Sequence, residues 1–425
     1  PIREYKKDIR KNLPVPAVAL GLRKRVEERM NRLAKYTETT DLNYIEPGGD
    51  SGVIASGKCV NFAQEVFGDT ATYLKLGFTY PLPDALLDEF YKQIGDGKVY
   101  VIEENDPWLQ HWIERRGYSC IGKPTIPPYG EMTPDVLRAA IFGETLPTLD
   151  VSPDMFVPRP PIFCSGCPHR GFFYELAKRK DTVIAGDIGC YTLGYIEPYN
   201  AIDYVICMSS AFSAAHGSQI AFDKAGNGKR AVGVLGDSTF FHMGLNGLIE
   251  VLYNGSKAIC VVLDNRITGM TGGQEHPGTG RDAHGEPAHE MDIEAVCRAL
   301  GAKNVAVINP NNLAQVRRAL DEAYAKDEPS VIITRWPCVL KPDMGDDVYE
   351  EFGHDLFKKK YAVDETKCIG CKACMKTGCP SISMKEAPGA NKLNQLSQID
   401  ATCVGCDVCA QVCPVKAIQM KGEKQ

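Results

Sequence analysis

Apolar runs alternate with longer amphipathic stretches along most of the chain, and this pattern predicts strands alternating with helices. The clearest series lies in residues 162–337, where apolar runs fall near 182–185, 204–208, 231–235, 258–263, 304–308 and 331–335. Strands joined through helices usually become parallel neighbours with helices on both faces, so we expect a doubly wound parallel sheet here. Similar runs near 51–56, 72–76 and 99–103 predict a second, smaller α/β sheet.

Changes of composition divide the chain into six segments. A polar lead with one helix occupies 1–50, the smaller α/β domain 51–123, and a Pro-rich linker 124–161. The larger α/β domain at 162–337 is followed by a charged connector at 338–363 and a cysteine-dense domain at 364–425. The predicted fold class is therefore α/β, with two doubly wound parallel-sheet domains and a small C-terminal domain.

Charge, hydropathy and cysteine content narrow the class of protein. The net charge is -6 at pH 7 and Lys and Arg are dispersed, so no nucleic-acid partner is expected. We find no apolar run of about 18 residues and no signal-peptide pattern, and we expect a cytoplasmic protein that does not bind a membrane. The chain has 17 cysteines, which in an α/β protein without an export signal indicate metal or redox chemistry more than disulfides.

Two of the predicted central strands end on polar motifs. Gly236-Asp237-Ser238 follows the run at 231–235, and Asn265 follows the run at 258–263. One strand-helix-strand crossover separates them, so both side chains are expected at the same edge of the sheet. Asp237, Asn265 and the main-chain carbonyl of Ile267 would then hold Mg²⁺, and through it a diphosphate. The alternative is an ordinary sheet turn with a solvated Asp and an N-capping Asn.

The cysteine-dense domain contains two similar runs. Each has three cysteines spaced C-x2-C-x2-C and a fourth that precedes proline, as in bacterial two-cluster ferredoxins, where the last cysteine of each run ligates the other run's cluster. This pattern predicts one cluster on Cys368, Cys371, Cys374 and Cys413, and another on Cys403, Cys406, Cys409 and Cys379. The first run has one extra residue before its last cysteine, which a slightly longer loop accommodates. Two zinc sites of four thiolates each are the alternative.

Four further cysteines flank the larger α/β domain. Cys164 and Cys167 open it, Cys190 follows its first strand, and Cys338 follows its last, so all four could meet beside the diphosphate end of the sheet. On spacing alone, a lone C-x2-C with unrelated core cysteines is the preferred interpretation. The remaining cysteines lie on apolar stretches or near helix cores and are predicted to be small buried hydrophobes: Cys59, Cys120, Cys207, Cys260 and Cys297.

These motifs occur together in a known family. Five segments and the terminal two-cluster domain resemble the large subunit of indolepyruvate ferredoxin oxidoreductases: CSGCPHRGFFYEL, GDIGCYTLG, CMSSAFSAAHG, GDSTFFHMGLNGLIEVLYN and DNRITGMTGGQEHPGTG. In the smaller α/β domain, LKLGFTYPLP and VYVIEENDPW are similar to that family's transketolase-C-terminal-like domain. The resemblance extends over essentially the whole chain.

The resemblance implies specific site residues. It implies a third [4Fe–4S] cluster, close to the cofactor, on Cys164, Cys167, Cys190 and Cys338. It also implies thiamine diphosphate contacts from Gly189, Cys190, Met208, Ser209, Gly236, Asp237, Ser238, Asn265, Met270 and Thr271. Of the histidines, His169 is the candidate for a catalytic role, whereas His216 is expected to cap or pack a helix.

The resemblance further implies an activity and partners. The expected reaction is oxidative decarboxylation of an aryl 2-oxo acid such as indolepyruvate, with formation of the acyl-CoA and transfer of electrons to ferredoxin. A smaller β subunit would bind coenzyme A, giving a hetero-oligomer. Other 2-oxo acids (pyruvate, branched-chain acids, phenylglyoxylate), a non-oxidative thiamine-dependent decarboxylase and an electron-transfer subunit with a merely structural thiamine fold are the alternatives. Intact Asp237 and Asn265 argue against the last alternative, and complete cysteine motifs argue against the non-oxidative one.

Two features depart from the family pattern. Gly273 stands where the family often has His, so a role for an imidazole there is not expected. Family members usually begin with a pyrimidine-binding domain that carries the Glu that activates the aminopyrimidine, and this sequence, which starts at Pro1, is expected to begin after that domain. We therefore expect a pyrimidine-binding domain or subunit to be required in addition.

Overall fold

The structure is a computed structural model that describes residues 4–145, 151–341 and 345–421. Short parts of the predicted lead, linker, connector and final domain lie outside these described residues. The chain divides into two compact units, Pro1–Val157 and Pro158–Gln425. No helix in the described ranges is both long enough and apolar enough to cross a membrane.

The first unit is built on a four-stranded sheet in the order β1-β3-β2-β4. Strands β2, β3 and β4 are parallel, whereas β1 pairs antiparallel with β3 at the edge. Its strands are β1 (Asn43–Glu46), β2 (Ser51–Ser56), β3 (Ala71–Leu76) and β4 (Val99–Ile102). Its helices are α1 (Ile9–Asn12), α2 (Pro16–Thr37), α3 (Lys58–Phe67), α4 (Asp84–Ile94), α5 (Trp108–Arg115) and α6 (Pro134–Phe142).

Helices cover both faces of this sheet, as the sequence predicts. On one face, Val66 and Phe67 of α3 pack with Leu137 of α6. On the other face, Phe90 of α4 packs with Trp112 of α5. Both clusters are buried, which explains why the central strands are mostly apolar and are buried along most of their length.

Two predicted boundaries of this domain are wrong. The boundary at residue 50 cuts through the sheet, because β1 lies before it and pairs along its full length with β3. The predicted linker from 124 begins too early, because Ile126, Met132 and Leu137 are buried in the core of the first unit. The linker is predicted from the high proline content, but proline is compatible with a helix at its first turn. Pro134 lies in the first turn of α6, where the N–H that proline lacks would make no hydrogen bond within the helix.

The second unit contains a five-stranded, all-parallel sheet in the order β5-β6-β7-β9-β8. Its strands are β5 (Thr182–Ala185), β6 (Arg230–Gly236), β7 (Ile259–Asp264), β8 (Asn304–Ile308) and β9 (Ser330–Arg335). Its helices are α7 (His169–Leu176), α8 (Ala211–Ala225), α9 (Asp237–Thr239), α10 (Leu245–Tyr253), α11 (Ile293–Ala299) and α12 (Leu313–Tyr324). A π-helical segment at Phe240–Gly244 links α9 to α10.

Every residue of β6 and β7 is buried, because one face of the sheet packs against α7 and α12 and the other against α8 and α10. The prediction that the polar motifs lie on central strands is therefore confirmed. The predicted strand at 204–208 is wrong, since only Tyr204 makes a bridge, to Ala185. Ile206 and Met208 are 69% and 53% exposed, and a strand inside a parallel sheet is buried on both faces.

The cysteine-dense domain belongs to the same compact unit. It is preceded by α13 (Asp346–Phe352) and contains two antiparallel pairs, β10 (Tyr361–Val363) with β13 (Ile418–Met420) and β11 (Ile382–Glu386) with β12 (Gln395–Ile399). Between them lie a 3-10 turn at Cys374–Thr377 and α14 (Val408–Gln411). Its buried apolar cluster is small and comprises Cys374, Ile382 and Ile418.

The place of α6 in the first core can be tested by truncating its buried leucine. We expect Leu137→Ala to destabilise the first unit by about 2–5 kcal/mol, because the side chain is fully buried and its removal leaves a cavity. The same substitution at Leu20, which is 82% exposed, should cost less than about 0.5 kcal/mol. Denaturant unfolding followed by tryptophan fluorescence suits this test, since Trp108 and Trp112 both lie on α5. Equal effects of the two substitutions would show that residues 134–142 are not part of the core of the first unit and belong to the linker.

Candidate functional site

A pocket of about 100 Å³ lies at the carboxyl ends of β6 and β7. Asp237 begins α9 directly after β6, and Asn265 directly follows β7. The parallel register, in which Gly236 pairs with Leu263, brings both motifs to one edge of the sheet. The residues predicted from the sequence that line this pocket are His169, Gly189, Cys190, Met208, Gly236, Asp237, Ser238, Asn265, Ile267, Met270 and Thr271.

Two residues predicted or weighed from the sequence do not line this pocket. Ser209 lies next to it, where its hydroxyl donates to the carbonyl oxygen of Thr239 at 3.5 Å. His216 lies on α8, away from the residues that form the pocket wall. Gly273 lines the neighbouring cavity described below, in place of the side chain that the family often has there.

The three oxygen ligands predicted for Mg²⁺ converge. The end of the Asn265 amide lies 3.3 Å from Oδ2 of Asp237 and 2.6 Å from the carbonyl oxygen of Ile267. With the amide nitrogen turned inward, Asn265 donates to both groups. With the oxygen turned inward, three oxygens face one another, an arrangement that a small hard cation stabilises. The donor set therefore fits Mg²⁺.

Asp237 is held in place by several donors. Its carboxylate accepts from the backbone N–H of Ser238 at 2.7 Å and of Asn265 at 3.1 Å. Burial alone would raise the pKa of Asp237, but the adjacent His276 and the hydrogen bond from the backbone of Ser238 hold its pKa below the ordinary value. The group is therefore a carboxylate, as a metal ligand must be.

His276 is a site residue that the sequence reasoning missed. Its Nε2 lies 3.0 Å from Oδ2 of Asp237, and its Nδ1 accepts from the backbone N–H of Gly278 at 3.1 Å. Because Nδ1 is an acceptor, the proton of the neutral ring is on Nε2, facing the carboxylate. The motif TGGQEHPGTG contains this histidine, but no spacing rule relates it to Asp237, and only the fold of the loop brings the two together.

A second carboxylate lies beneath the first. Asp264 is buried at the end of β7, and its Oδ2 accepts from Nε of Arg335 at 2.9 Å. Burial, and then the negative charge of Asp237, raise the pKa of Asp264 to about 6, against the opposing pull of Arg335 and Arg266. The ion pair of Arg335 with Asp264 thus stabilises the backbone directly before Asn265.

His169 stands between two cavities. It lines the pocket of Asp237 and also a second cavity of about 370 Å³. Its ring packs edge-on against Phe163 and Tyr191, with centroids 6.1 and 6.0 Å away. Burial lowers the pKa of His169 to about 4, so the imidazole is neutral near pH 7.

The second cavity is lined by all four cysteines that flank the domain: Cys164, Cys167, Cys190 and Cys338. Cys164 and Cys167 lie in the turn before α7, and Cys190 begins a 3-10 turn after β5. Cys338 is fixed beside the first pocket, because its backbone N–H donates to the carbonyl oxygen of Asn265 at 2.9 Å. Four soft thiol donors around one cavity fit an iron–sulfur cluster.

The eight cysteines of the terminal domain fall into two sets. Cys368, Cys371, Cys374 and Cys413 line one pocket. The other four are Cys379, Cys403, Cys406 and Cys409. Burial raises the pKa of the Cys409 thiol, and Cys406, Cys379 and Cys403, together with Cys374 of the first set, raise it further. Each set thus combines three cysteines of one run with the last cysteine of the other, as the two-cluster pattern predicts.

Throughout the described ranges, no three His, Cys, Asp or Glu side chains converge closely enough to hold a single metal ion. A four-iron cluster takes one thiolate at each iron, so its ligands surround a volume instead of a point. Of the other cysteines, Cys59, Cys260 and Cys297 are buried as predicted and Cys120 is partly buried. The prediction for Cys207 is wrong, because it is exposed and lies within the run 204–208, which forms no strand.

Comparison with known proteins agrees with this arrangement. Residues 187–334 match the family described as thiamine pyrophosphate enzyme, C-terminal TPP binding domain, and residues 361–420 match the 4Fe-4S dicluster domain. The indolepyruvate oxidoreductase subunit IorA of Methanothermobacter thermautotrophicus is 35% identical over 99% of this chain, which covers 68% of that protein. The chain belongs to this IorA family.

Other IorA proteins show the same relation. The IorA subunit of Pyrococcus abyssi is 32% identical over 98% of this chain and 68% of its own length. Among solved structures, the match to a 2-oxoglutarate:ferredoxin oxidoreductase from Magnetococcus marinus covers 48% of this chain and 73% of that chain, with 19% sequence identity and a TM-score of 0.39. This IorA-family chain thus contains both a thiamine diphosphate-binding domain and a 4Fe–4S domain.

The oxygen site can be tested by removing the charge of Asp237. We expect Asp237→Asn to lower the affinity for thiamine diphosphate in Mg²⁺ buffer by more than about a hundredfold, since outer partners of metal ligands alone are worth about 10–100-fold. Iron content should stay unchanged. Asp223→Asn, at a carboxylate on α8 that pairs with Lys257, is the matched control. Calorimetric titration gives the affinity, and tight cofactor binding by the Asp237 variant would contradict the assignment.

Proposed function

We propose that this IorA-type chain performs the oxidative decarboxylation of an aryl 2-oxo acid such as indolepyruvate, forming the acyl-CoA and CO₂ and passing electrons through [4Fe–4S] clusters to ferredoxin. One observation carries the proposal: the diphosphate pocket and the four-thiol cavity share walls. His169, Cys190, Asn265, Ile267 and Gly269 line both. Electrons released in the first pocket would therefore have an acceptor in the adjoining one.

The chain's own residues would bind and orient the cofactor. Bound thiamine diphosphate supplies the carbanion chemistry that removes CO₂ from a 2-oxo acid. Asp237, Asn265 and the carbonyl of Ile267 would hold Mg²⁺, and through it the diphosphate. His276 keeps the Asp237 carboxylate in position, and the Asp264–Arg335 pair supports the same loop.

His169 suits a role as a neutral hydrogen-bonding group. It is 2% exposed, and its Nδ1 has no partner among the described residues. A buried polar atom without a partner is costly, so a group that enters the pocket and satisfies it would gain affinity. The neutral imidazole would thus contact the reacting end of substrate or cofactor without adding charge to it.

Three clusters per chain are proposed. Cys164, Cys167, Cys190 and Cys338 would hold the cluster nearest to the cofactor, and the terminal domain would hold the other two. An enzyme that only protonated its decarboxylated intermediate would have no use for four thiols beside the cofactor. This arrangement supports an oxidoreductase over a non-oxidative decarboxylase.

Further polypeptide is required for the whole reaction. The relatives are named as subunits, and the chain is part of a hetero-oligomer. No glutamate lines the first pocket in the part of the chain that the structure describes, and its one carboxylate, Asp237, is assigned to the metal. We therefore propose that the carboxylate for the aminopyrimidine comes from a pyrimidine-binding domain or subunit outside these 425 residues. A smaller β subunit would supply the coenzyme A site.

The proposed reaction can be tested with a viologen dye. In anaerobic buffer with thiamine diphosphate and Mg²⁺, indolepyruvate should reduce the dye only when this chain is combined with its partner polypeptides. Product release should depend on coenzyme A. Comparison with pyruvate, 2-oxoisovalerate and phenylglyoxylate identifies the substrate class. Decarboxylation without any dye reduction would instead establish a non-oxidative lyase.

The number of clusters can be tested by elemental analysis. Anaerobically prepared protein should contain about twelve iron and about twelve sulfide per chain, since three clusters hold four of each. Cys338→Ser should lower both to about eight, because it removes one ligand of the cluster beside the cofactor. Cys120→Ser, in the first unit, is the control and should leave both unchanged. About eight irons in the unaltered protein, or zinc without sulfide, would refute the three-cluster proposal.

A further inference from the structure

Arg170 is fully buried in the second unit, on the first turn of α7. Both terminal nitrogens of its guanidinium are in use. Nη1 donates to the hydroxyl of Tyr199 at 2.9 Å and to the carbonyl oxygen of Thr377 at 2.8 Å. Nη2 donates to the carbonyl oxygens of Phe163 at 2.8 Å and Cys164 at 2.7 Å. These acceptors come from both the thiamine-binding domain and the terminal domain.

None of these partners carries a negative charge. The other buried arginines of the same unit lie near carboxylates. Arg266 pairs with Glu290 at 2.6 Å, and Arg230, which donates to the carbonyl oxygen of Ala323, is under the influence of the nearby charges of Asp327 and Asp223. For Arg170, no carboxylate of the described ranges lies within ion-pair distance, and its Nε has no hydrogen-bond partner. A buried cation is costly unless a nearby anion compensates for it. The missing counter-charge therefore needs an explanation.

Cysteines of two proposed clusters lie near Arg170 instead, since it donates to the carbonyl oxygen of Cys164 and to that of Thr377, two residues before Cys379. The groups that act on its charge, after burial and the Tyr199 hydroxyl, are Cys379, Cys167 and Cys406. Cys167 lines the four-thiol cavity, whereas Cys379 and Cys406 belong to one set of the terminal domain. Thiolates bound to iron make each cluster a net anion. The guanidinium thus lies between the sites of two anions, one on each side of the domain boundary.

The surfaces that meet around Arg170 fit closely. A Cβ on Gly166, in the loop between Cys164 and Cys167, would come within 2.0 Å of Cγ2 of Val404. Beside it, the Ser381 hydroxyl lies 2.7 Å from that of Ser165 and 2.8 Å from that of Thr402. The two cysteine loops are therefore held in one arrangement, with Arg170 at their junction.

We propose that Arg170 is a positioning residue for electron transfer between the cluster of Cys164, Cys167, Cys190 and Cys338 and the cluster of Cys379, Cys403, Cys406 and Cys409. Its positive charge stabilises the reduced form of both clusters, because each added electron makes a cluster more negative. Its hydrogen bonds to both domains hold the two clusters at a fixed separation. In each step the first cluster loses one electron and the second gains it, and an external one-electron carrier such as ferredoxin finally accepts it.

This inference rests on the clusters of the proposed function but not on its substrate. It can therefore be tested without any 2-oxo acid, by potentiometric titration of the three-cluster protein followed by electron paramagnetic resonance. The informative pair is Arg170→Gln and Arg170→Lys. Both lose the guanidinium's hydrogen-bond geometry, but only Arg170→Gln loses the charge.

We expect Arg170→Gln to lower the one-electron reduction constant of two clusters by about tenfold, a downward shift of about 59 mV. Arg170→Lys should stay closer to the unaltered protein. The cluster of Cys368, Cys371, Cys374 and Cys413 is the internal control and should not shift. Arg230→Gln is the control variant. Arg230 is also buried, and it donates to the carbonyl oxygen of Ala323 at 3.0 Å. It lies at the amino end of β6, whereas the candidate site lies at the carboxyl end of that strand.

Two results would overturn the inference. One is that Arg170→Gln and Arg170→Lys shift the two potentials equally or leave both unchanged, since the charge would then have no effect. The other is that both variants lose the same amount of iron while circular dichroism shows them folded, since Arg170 would then serve only to hold the loops. Loss of iron from Arg170→Gln alone would support the role of the charge.

Discussion

The parallel pairing of β6 with β7 is the constraint on which the site depends. Their register ends both strands at one edge, so Asp237 and Asn265 meet without any further arrangement of the chain. Pairing of β7 with β9 extends the same edge to Trp336 and Cys338, whose backbone N–H groups bond to the carbonyls of Asp264 and Asn265. The oxygen site and the thiol cavity therefore lie at the same edge of the sheet, formed by the carboxyl ends of these strands.

This shared edge explains why two different chemistries lie side by side. Carboxylate, amide and carbonyl oxygens suit a hard cation, whereas thiols suit iron, and the strands deliver the two donor types on adjacent loops. His169 and Gly269 line both cavities, so the two donor sets lie next to each other. Under the proposed function, a cluster held in the four-thiol cavity would lie beside the bound cofactor and would supply the electron acceptor that oxidation, unlike simple protonation, requires.

Sequence reasoning succeeded where a local pattern dictates a position. Asp237 and Asn265 follow apolar strands, and the terminal cysteines follow a fixed spacing, so their neighbours could be inferred without coordinates. It failed where tertiary contacts decide. The run at 204–208 is as apolar as a strand, yet Ile206 and Met208 remain exposed. His276 and Arg170 lie far in sequence from several of the groups they contact, and no periodicity marks either of them.

The central claim is that electrons leave the thiamine pocket through the four-thiol cavity. The most direct measurement mixes indolepyruvate with the reconstituted complex under anaerobic conditions and compares the unaltered protein with Cys338→Ser within one turnover. Rapid-freeze electron paramagnetic resonance follows reduction of the terminal clusters while CO₂ release is measured in parallel. The account predicts that the variant still releases CO₂ but leaves the terminal clusters oxidised. Reduction of those clusters at the unaltered rate in the variant would contradict it.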